Sequence, residues 1–434
     1  MVPAISTIPV EPLQEVCAVT KESAYEVLGK TLKFTEDRRF WWDTIGYALS
    51  GTLSHAQYSL NSQFLHLCFF YMSVSPYLGP QPGEGNQPLL KSYMTDDHTP
   101  VEISLVSGPD GQLIVRYAIE PILSGPSSGE EEHAIAQMID SLHHALDSNF
   151  DLNWFDALKA TLSWPDRKAN VKTKHNSQHF VGFDCLRSGH TVVKVYFLPE
   201  VRSAHTGIFK EDIVTAALSS LDAGFEKTWG DILQYFDILP SLVKPQIEIV
   251  ATDCLAPGAN RIKVYVRTRS TRFVDLEGLM TLGGSVDSPA IQHGMEVLAR
   301  LWHDVMGIDT ADPDWKTRSL LPLTQRREEH ITSGILIYYE LRSGASMPFP
   351  KVYLPVRHYC PDDHAIAARI EKHYAKQGNA WIPEYTSKVQ TIFGQHRSLS
   401  TRTGIHTYVS LAIKKSGFDI ARYYNPEIYA PERG

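Results

Sequence analysis

Closely spaced cysteines are missing from this chain. Its five cysteines, Cys17, Cys68, Cys185, Cys254 and Cys360, are odd in number, stand far apart and form no CxxC. That pattern excludes a disulfide framework and a cysteine-held zinc site, and it suits reduced thiols in a cytoplasmic compartment. Long apolar runs are missing as well. The nearest to one, Phe64 to Val74, contains His66 and is too short to cross a bilayer, so no membrane-spanning segment is expected. Met1 to Glu11 has no basic stretch leading into an apolar one, and no secretory signal is read there. Positive charge is in deficit: 41 Lys and Arg against 49 Asp and Glu leave a net charge of −8. This balance argues against a nucleic-acid or anionic-membrane partner. It leaves room for a pocket that is locally basic inside an acidic shell.

What the chain does have is ordinary globular composition, with 43% hydrophobic and 21% charged residues, so global disorder is excluded. At roughly 150 residues per domain, 434 residues would make two or three domains. The patterning argues for one. The first 75 or so residues read as helical, and a pattern of strand, turn, strand and helix then repeats. The strand pairs are Val101–Val106 with Leu113–Ile119, Phe180–Leu186 with Thr191–Leu198, Ile247–Leu255 with Arg261–Arg267, Ile335–Leu341 with Lys351–Val356, and Ile405–Ile413 with Phe418–Tyr423. Their turns carry Pro109-Asp110-Gly111, a strong turn signal, then Arg187-Ser188-Gly189, Pro257-Gly258-Ala259-Asn260, Arg342-Ser343-Gly344 at the start of a longer loop, and Lys415-Ser416-Gly417.

Amphipathic helices lie between the hairpins. Ile135, Met138, Ile139, Leu142 and Leu146 fall on one helical face. Ser288-Pro289 reads as a cap and first helical residue ahead of Ile291, Met295, Leu298 and Trp302, and Asp363 opens a helix that would bury Ile366, Ile370 and Tyr374. Ten antiparallel strands with helices along one face are expected to close into an α+β barrel, which removes exposed edges and leaves an interior wide enough for a ligand. The expected layout is a single domain over residues 1–434: a flexible stretch at 1–20, a helical start over 20–95 and the hairpin repeats over 96–430.

One tripeptide recurs in the second strand of three hairpins: Lys194-Val195-Tyr196, Lys263-Val264-Tyr265 and Lys351-Val352-Tyr353. Residues i and i+2 of a strand share a face. If the valines meet the helices, three lysines and three tyrosines line the lumen, joined by Arg116, Arg261 and Tyr408. The bland alternative is a solvated strand edge with snorkelling lysines, which three register-matched copies disfavour. Cations and phenol donors hold a polyanion such as a diphosphate. Tyrosine faces also stabilise a carbocation, by about 0.5–2 kcal/mol per ring. The combination points to ionisation of an allylic diphosphate in a water-poor barrel. The magnesium clusters of other prenyl chemistry need a DDxxD motif, whereas Asp96-Asp97 and Asp362-Asp363 are bare pairs. Lysine and arginine are expected to replace the metal.

The run Asp96-Asp97-His98-Thr99-Pro100-Val101-Glu102, then Arg116, the three Lys-Val-Tyr strands and Thr281-Leu282-Gly283-Gly284, together with Trp41-Trp42, resembles the fungal aromatic prenyltransferases of the dimethylallyltryptophan synthase family over roughly residues 20–430. The resemblance implies a ten-stranded ABBA barrel of repeated ααββ units. It further implies metal-independent Friedel–Crafts transfer of a dimethylallyl group from dimethylallyl diphosphate, a co-substrate rather than a cofactor, to an indole in secondary metabolism. By residue, it implies that Arg116, Lys194, Arg261, Lys263 and Lys351 grip the diphosphate, and that Tyr196, Tyr265, Tyr353 and Tyr408 shield the cation. Glu102 would accept the indole N–H, raising the ring's nucleophilicity, while Glu248 and Val101 would touch the acceptor. A cytoplasmic monomer or homodimer is expected.

Members of that family that prenylate free tryptophan at C4 carry an arginine thirteen positions before the one matched by Arg261; this chain has Glu248 there. Their lysine before the second hairpin is also missing, the local run being Gln178-His179-Phe180. Ala412 stands where many relatives have a further tyrosine, and Gly404 near a relative's arginine, which would widen the pocket. The expectation is therefore a bulkier acceptor, a tryptophan-containing cyclic dipeptide or larger indole alkaloid.

Three other motifs carry no chemistry on this reading. Gly125-Pro126-Ser127-Ser128-Gly129 fits GxSxG but lacks the strand and helix of a nucleophile elbow. Gly283-Gly284 is followed by no GK[ST], and adjacent His143-His144 cannot face one metal from a helix. The rival class is a barrel that binds a hydrophobic or phosphorylated ligand without chemistry, which would have no use for Glu102 opposite a cationic cluster.

Overall fold

Each of the five turns joins two strands that pair antiparallel. A computed structural model describes residues 14, 21–108, 110–123, 131–146, 150–165, 171–322, 324, 327, 329–376 and 384–433. The strands are β1 (Val101–Ser107), β2 (Leu113–Ile119), β3 (His179–Cys185), β4 (Thr191–Phe197), β5 (Gln246–Asp253), β6 (Ile262–Thr268), β7 (Ile335–Leu341), β8 (Phe349–Leu354), β9 (His406–Lys414) and β10 (Gly417–Tyr424). They form a closed barrel in which each strand pairs with its sequence neighbours and β10 returns to β1. Tight turns need a positive φ that glycine adopts without strain: Gly189 sits at +93° between β3 and β4, and Gly417 at +132° opens β10.

Two apolar regions result from the strand alternation. Val195, Val264 and Val352 point outward and are fully buried in the large core between barrel and helices. A separate cluster inside the barrel contains Ala251, Tyr265, Leu336, Tyr338, Tyr353 and Tyr408. The expected helices over Glu131–Ala145, Pro289–Met306 and Asp363–Lys376 are present; Ser288 caps the second, its hydroxyl accepting from the Ile291 N–H. The early helices pack Trp41 and Trp42 into the core, and the Trp41 indole donates to the Gly79 carbonyl at 2.8 Å. The GxSxG stretch, Cys17 and Pro109 lie outside the described residues, as does all of 1–20 except Gln14.

Two local features set the upper rim of the lumen. Strand β5 carries a bulge: Ile247 faces Val266 and Ile249 faces Tyr265, with Glu248 inserted between. A bulge re-aims a side chain, and here both Glu248 and Ile249 line the lumen. The start of β9 is tied to Asp363, which is fully buried. One carboxylate oxygen accepts from the His406 backbone N–H (2.7 Å) and Nδ1 (3.0 Å), the other from Arg397 (2.6 Å) and the Ile405 N–H (3.1 Å). Arg397 also binds Glu427 at 2.7 Å. The Asp97 carboxylate closes a loop by accepting from Thr95, Thr99 and Asn425. Both aspartate pairs thus contribute a structural carboxylate.

Candidate active site

One cavity runs through the barrel, and it brings the expected residues together. Arg116, Lys194, Arg261, Lys263, Lys351, Tyr196, Tyr265, Tyr353, Tyr408, Glu102 and Glu248 all line it. Val101 does not. It alternates with Glu102 along β1, faces the helices and is fully buried in the outer core, so its expected contact with an acceptor is corrected. Ala412 lines the cavity, but Gly404 does not; a Cβ there would strike Glu427 Oε1.

The basic end contains acids that the sequence reading passed over. Asp184 on β3 sits between two cations, with Arg116 Nε at 3.2 Å and Lys194 on its other oxygen. Arg261 binds Asp253 at 2.8 Å and Glu340 at 2.7 Å, while Lys263 stands 3.5 Å from Asp253. Lys414 pairs with Asp419. Period-two alternation would have found Asp184, since it follows Phe180 and Gly182 on one face. Lys351 is different: among the described residues it forms no ion pair, and it donates to the Tyr423 hydroxyl at 2.7 Å.

Burial is the largest influence on the lysines. It pushes Lys263 down to about 7, with Asp253 opposing and Arg261 and Lys194 reinforcing. It takes Lys351 well below its ordinary value, reinforced by Arg116 and Lys263. These ammonium groups are short of negative charge even with the carboxylates present.

Above them lies a belt of phenol rings. Tyr265 is the hub, with ring centres 6.1 Å from Tyr196, 5.1 Å from Tyr338 and 5.9 Å from Tyr353. Tyr353 in turn meets Tyr408 at 5.8 Å and Tyr423 at 5.4 Å. Tyr338 and Tyr423 were not singled out from sequence, although each alternates inward on its strand.

The far end is polar again. Glu102 Oε1 accepts the Thr407 hydroxyl at 2.6 Å. Burial pushes the Glu102 carboxyl up to about 7, against the Thr407 hydrogen bond and the Arg357 charge. Arg357 donates to Asp96 Oδ2 (2.7 Å), the Thr407 carbonyl (3.1 Å) and the Tyr408 hydroxyl (3.1 Å). Arg267 grips Glu248 through two bonds, 2.7 and 2.9 Å. Glu248 therefore faces the lumen as a paired carboxylate, its charge met by Arg267. A smaller polar cavity shares Tyr93, Glu248 and Arg267 with the lumen and adds Lys174, Lys210 and Arg269.

Asp96, His330 and His358 bring ligand-type atoms within 4.8 Å of one another. Both Asp96 oxygens are engaged, one by Arg357 and one by the Thr332 hydroxyl at 3.3 Å, and Thr332 also bonds His330 and His358. A guanidinium 2.7 Å from the carboxylate oxygen opposes a divalent cation, and the group reads as a hydrogen-bonded rim.

A closed antiparallel barrel of ten strands, ringed by helices and carrying cations, tyrosines and one near-neutral carboxylate within, defines the class of aromatic prenyltransferase barrels. A crystal structure of AnaPT from Neosartorya fischeri shares the fold, with a TM-score of 0.79 and 24% identity over 93% of this chain and 98% of that one. Residues 37–388 match the family described as tryptophan dimethylallyltransferase. The chain is 35% identical to the 4-O-dimethylallyl-L-tyrosine synthase of Claviceps purpurea, covering 91% of this chain and 89% of the relative. It is 30% identical to a 7-dimethylallyltryptophan synthase of Aspergillus fumigatus, covering 90% and 85%. The chain belongs to the tryptophan dimethylallyltransferase family and is a prenyltransferase.

Proposed function

We propose that this chain, acting as one barrel unit, transfers the dimethylallyl group of dimethylallyl diphosphate to an aromatic acceptor. The C–O bond to diphosphate breaks, and Arg116, Lys194, Arg261, Lys263 and Lys351 hold the departing anion. The allylic cation lies against Tyr196, Tyr265, Tyr353 and Tyr408, whose rings exclude water and face it with π density. The acceptor attacks the cation, and the proton it sheds or shares goes to Glu102. The products are prenylated acceptor, diphosphate and one proton. The reading rests above all on Glu102, a carboxyl of near-neutral pKa that faces the same lumen as the basic cluster. A barrel that only binds a ligand has no need of that group. The lysine and arginine charges take the place of a metal in leaving-group stabilisation.

For the acceptor, the sequence favours a tryptophan-containing cyclic dipeptide or larger indole alkaloid, a reading supported by the small Ala412 in the wall. The ion pairs favour a second reading. Arg267 with Glu248 and Arg357 with Asp96 set matched charges at the acceptor end, complementary to the ammonium and carboxylate of a free aromatic amino acid. Two relatives are named for tyrosine and tryptophan.

The test is incubation of the purified protein with dimethylallyl diphosphate in EDTA, offering L-tyrosine, L-tryptophan, their decarboxylated amines and tryptophan-containing cyclic dipeptides. Prenylated product from the amino acids but not the amines supports the zwitterion reading; product from cyclic dipeptides alone supports the other. No product and no diphosphate release from any acceptor overturns the enzymatic proposal.

A further inference from the structure

Among the described residues, the Glu102 carboxylate receives one hydrogen bond, from Thr407. The two residues lie 305 positions apart in sequence, and barrel closure brings them together. Thr407 is 2% exposed, and its backbone is held on both sides. The preceding His406 N–H donates to Asp363 at 2.7 Å, and the Thr407 carbonyl accepts from Arg357 at 3.1 Å. The hydroxyl therefore has little freedom to follow a drifting carboxylate. At 2.6 Å it occupies Oε1 and leaves Oε2 for an incoming N–H or O–H.

We propose that Thr407 is the positioning residue of the proton acceptor: it binds one oxygen of Glu102 and so orients the other toward the acceptor. This role rests on the assignment of Glu102 made above. The same bond stabilises the ionised carboxylate against burial, which otherwise disfavours it. Arg357 and Lys351 act in the same direction and Asp96 in the opposite one. Arg357 and Asp96 also bind each other, and among the described residues Thr407 is the partner hydrogen-bonded to the carboxylate.

The experiment is the pH profile of kcat/KM for Thr407→Val, Thr407→Ser and Glu102→Gln. Valine keeps the shape and removes the donor; serine keeps the donor. Loss of a hydrogen bond to a charged group should move the acidic limb upward by about one pH unit and cost on the order of tenfold in rate at pH 7. The KM for dimethylallyl diphosphate should stay unchanged, and serine should restore both limb and rate. A Thr407→Val profile with an unmoved limb, whatever its height, overturns the proposal, as does a serine variant that behaves like valine. If valine prevents folding, Thr407→Ala carries the same comparison. Glu102→Gln separates the two layers: full activity there removes the base assignment itself, whereas an inactive Glu102→Gln beside an unmoved Thr407→Val limb removes Thr407 alone.

Discussion

The ammonium of Lys351 stands 4.5 Å from the centre of the Tyr353 ring, two residues along the same strand. The Tyr338 and Tyr423 rings lie 5.7 and 5.3 Å from the same nitrogen. The Lys351 side chain thus sits at the boundary between basic end and phenol belt, where diphosphate and cation would part. The ring faces there attract whichever cation is present.

Proton uptake on diphosphate binding follows. Burial holds Lys263 near 7, so at pH 8 it is largely neutral without ligand, and burial pushes Lys351 in the same direction. A bound diphosphate favours their charged forms and returns their pKa values toward the ordinary lysine range. Calorimetry of a non-hydrolysable dimethylallyl diphosphate analogue at pH 8, in buffers of different ionisation enthalpy, should show net proton uptake, of which Lys263 supplies about one. Lys263→Met should remove part of it. Binding with no buffer dependence would contradict the assignment of these lysines.

Replacing Glu102 by glutamine should leave the fold and diphosphate binding intact and reduce kcat by on the order of a hundredfold or more. In the unmodified protein the acidic limb of kcat/KM should fall near pH 7, the value to which burial raises this carboxyl. Activity requires the ionised form, so the rate climbs as pH rises through that value. A flat profile between pH 5 and 8 would count against the base.

Gly182 is where the belt is most easily disturbed. A Cβ there would lie 2.9 Å from Tyr196 Cε2 and 3.2 Å from its hydroxyl, so Gly182→Ala should push the ring aside without unfolding the strand. The expected signature is a changed partition: more dimethylallyl alcohol from water capture per prenylated acceptor, at nearly unchanged melting temperature. The ratio is read by chromatography of both products, and an unaltered ratio would show that Tyr196 does not shield the cation.

Asp363 makes a different prediction, one about stability. Removing the buried carboxylate takes an acceptor from the Arg397 and His406 side chains and from two backbone N–H groups, so Asp363→Ala should cost about 3 kcal/mol in denaturant unfolding. Because the same carboxylate fixes the start of β9, surviving activity should show an acidic limb displaced toward that of Thr407→Val.

The barrel and its inward lysines were legible because both obey local rules: turn chemistry gave the five hairpins, and period two gave the Lys-Val-Tyr faces. The same alternation carried Asp184, Glu340 and Tyr423 inward and marks their faces, but which cation or ring each one meets depends on the neighbour across the strand. Glu248 shows the limit most clearly. Its orientation depends on a bulge, and its charge is met by Arg267 from the next strand; neither fact is written in the residues around it. Val101 failed for a simpler reason, since a residue beside Glu102 must point the other way. Thr407 had no sequence signal at all, being joined to Glu102 through strands at opposite ends of the barrel's run.

Closure of β10 onto β1 also imposes an order in time. Glu102 lies on the first strand and meets its hydroxyl partner only after the ninth is in place and the ring is sealed. A half-folded chain can gather lysines and tyrosines from the middle hairpins, but it has neither a dry interior nor an oriented base. An allylic cation is hazardous to nearby nucleophiles, and this topology keeps an unfinished enzyme from being a competent one.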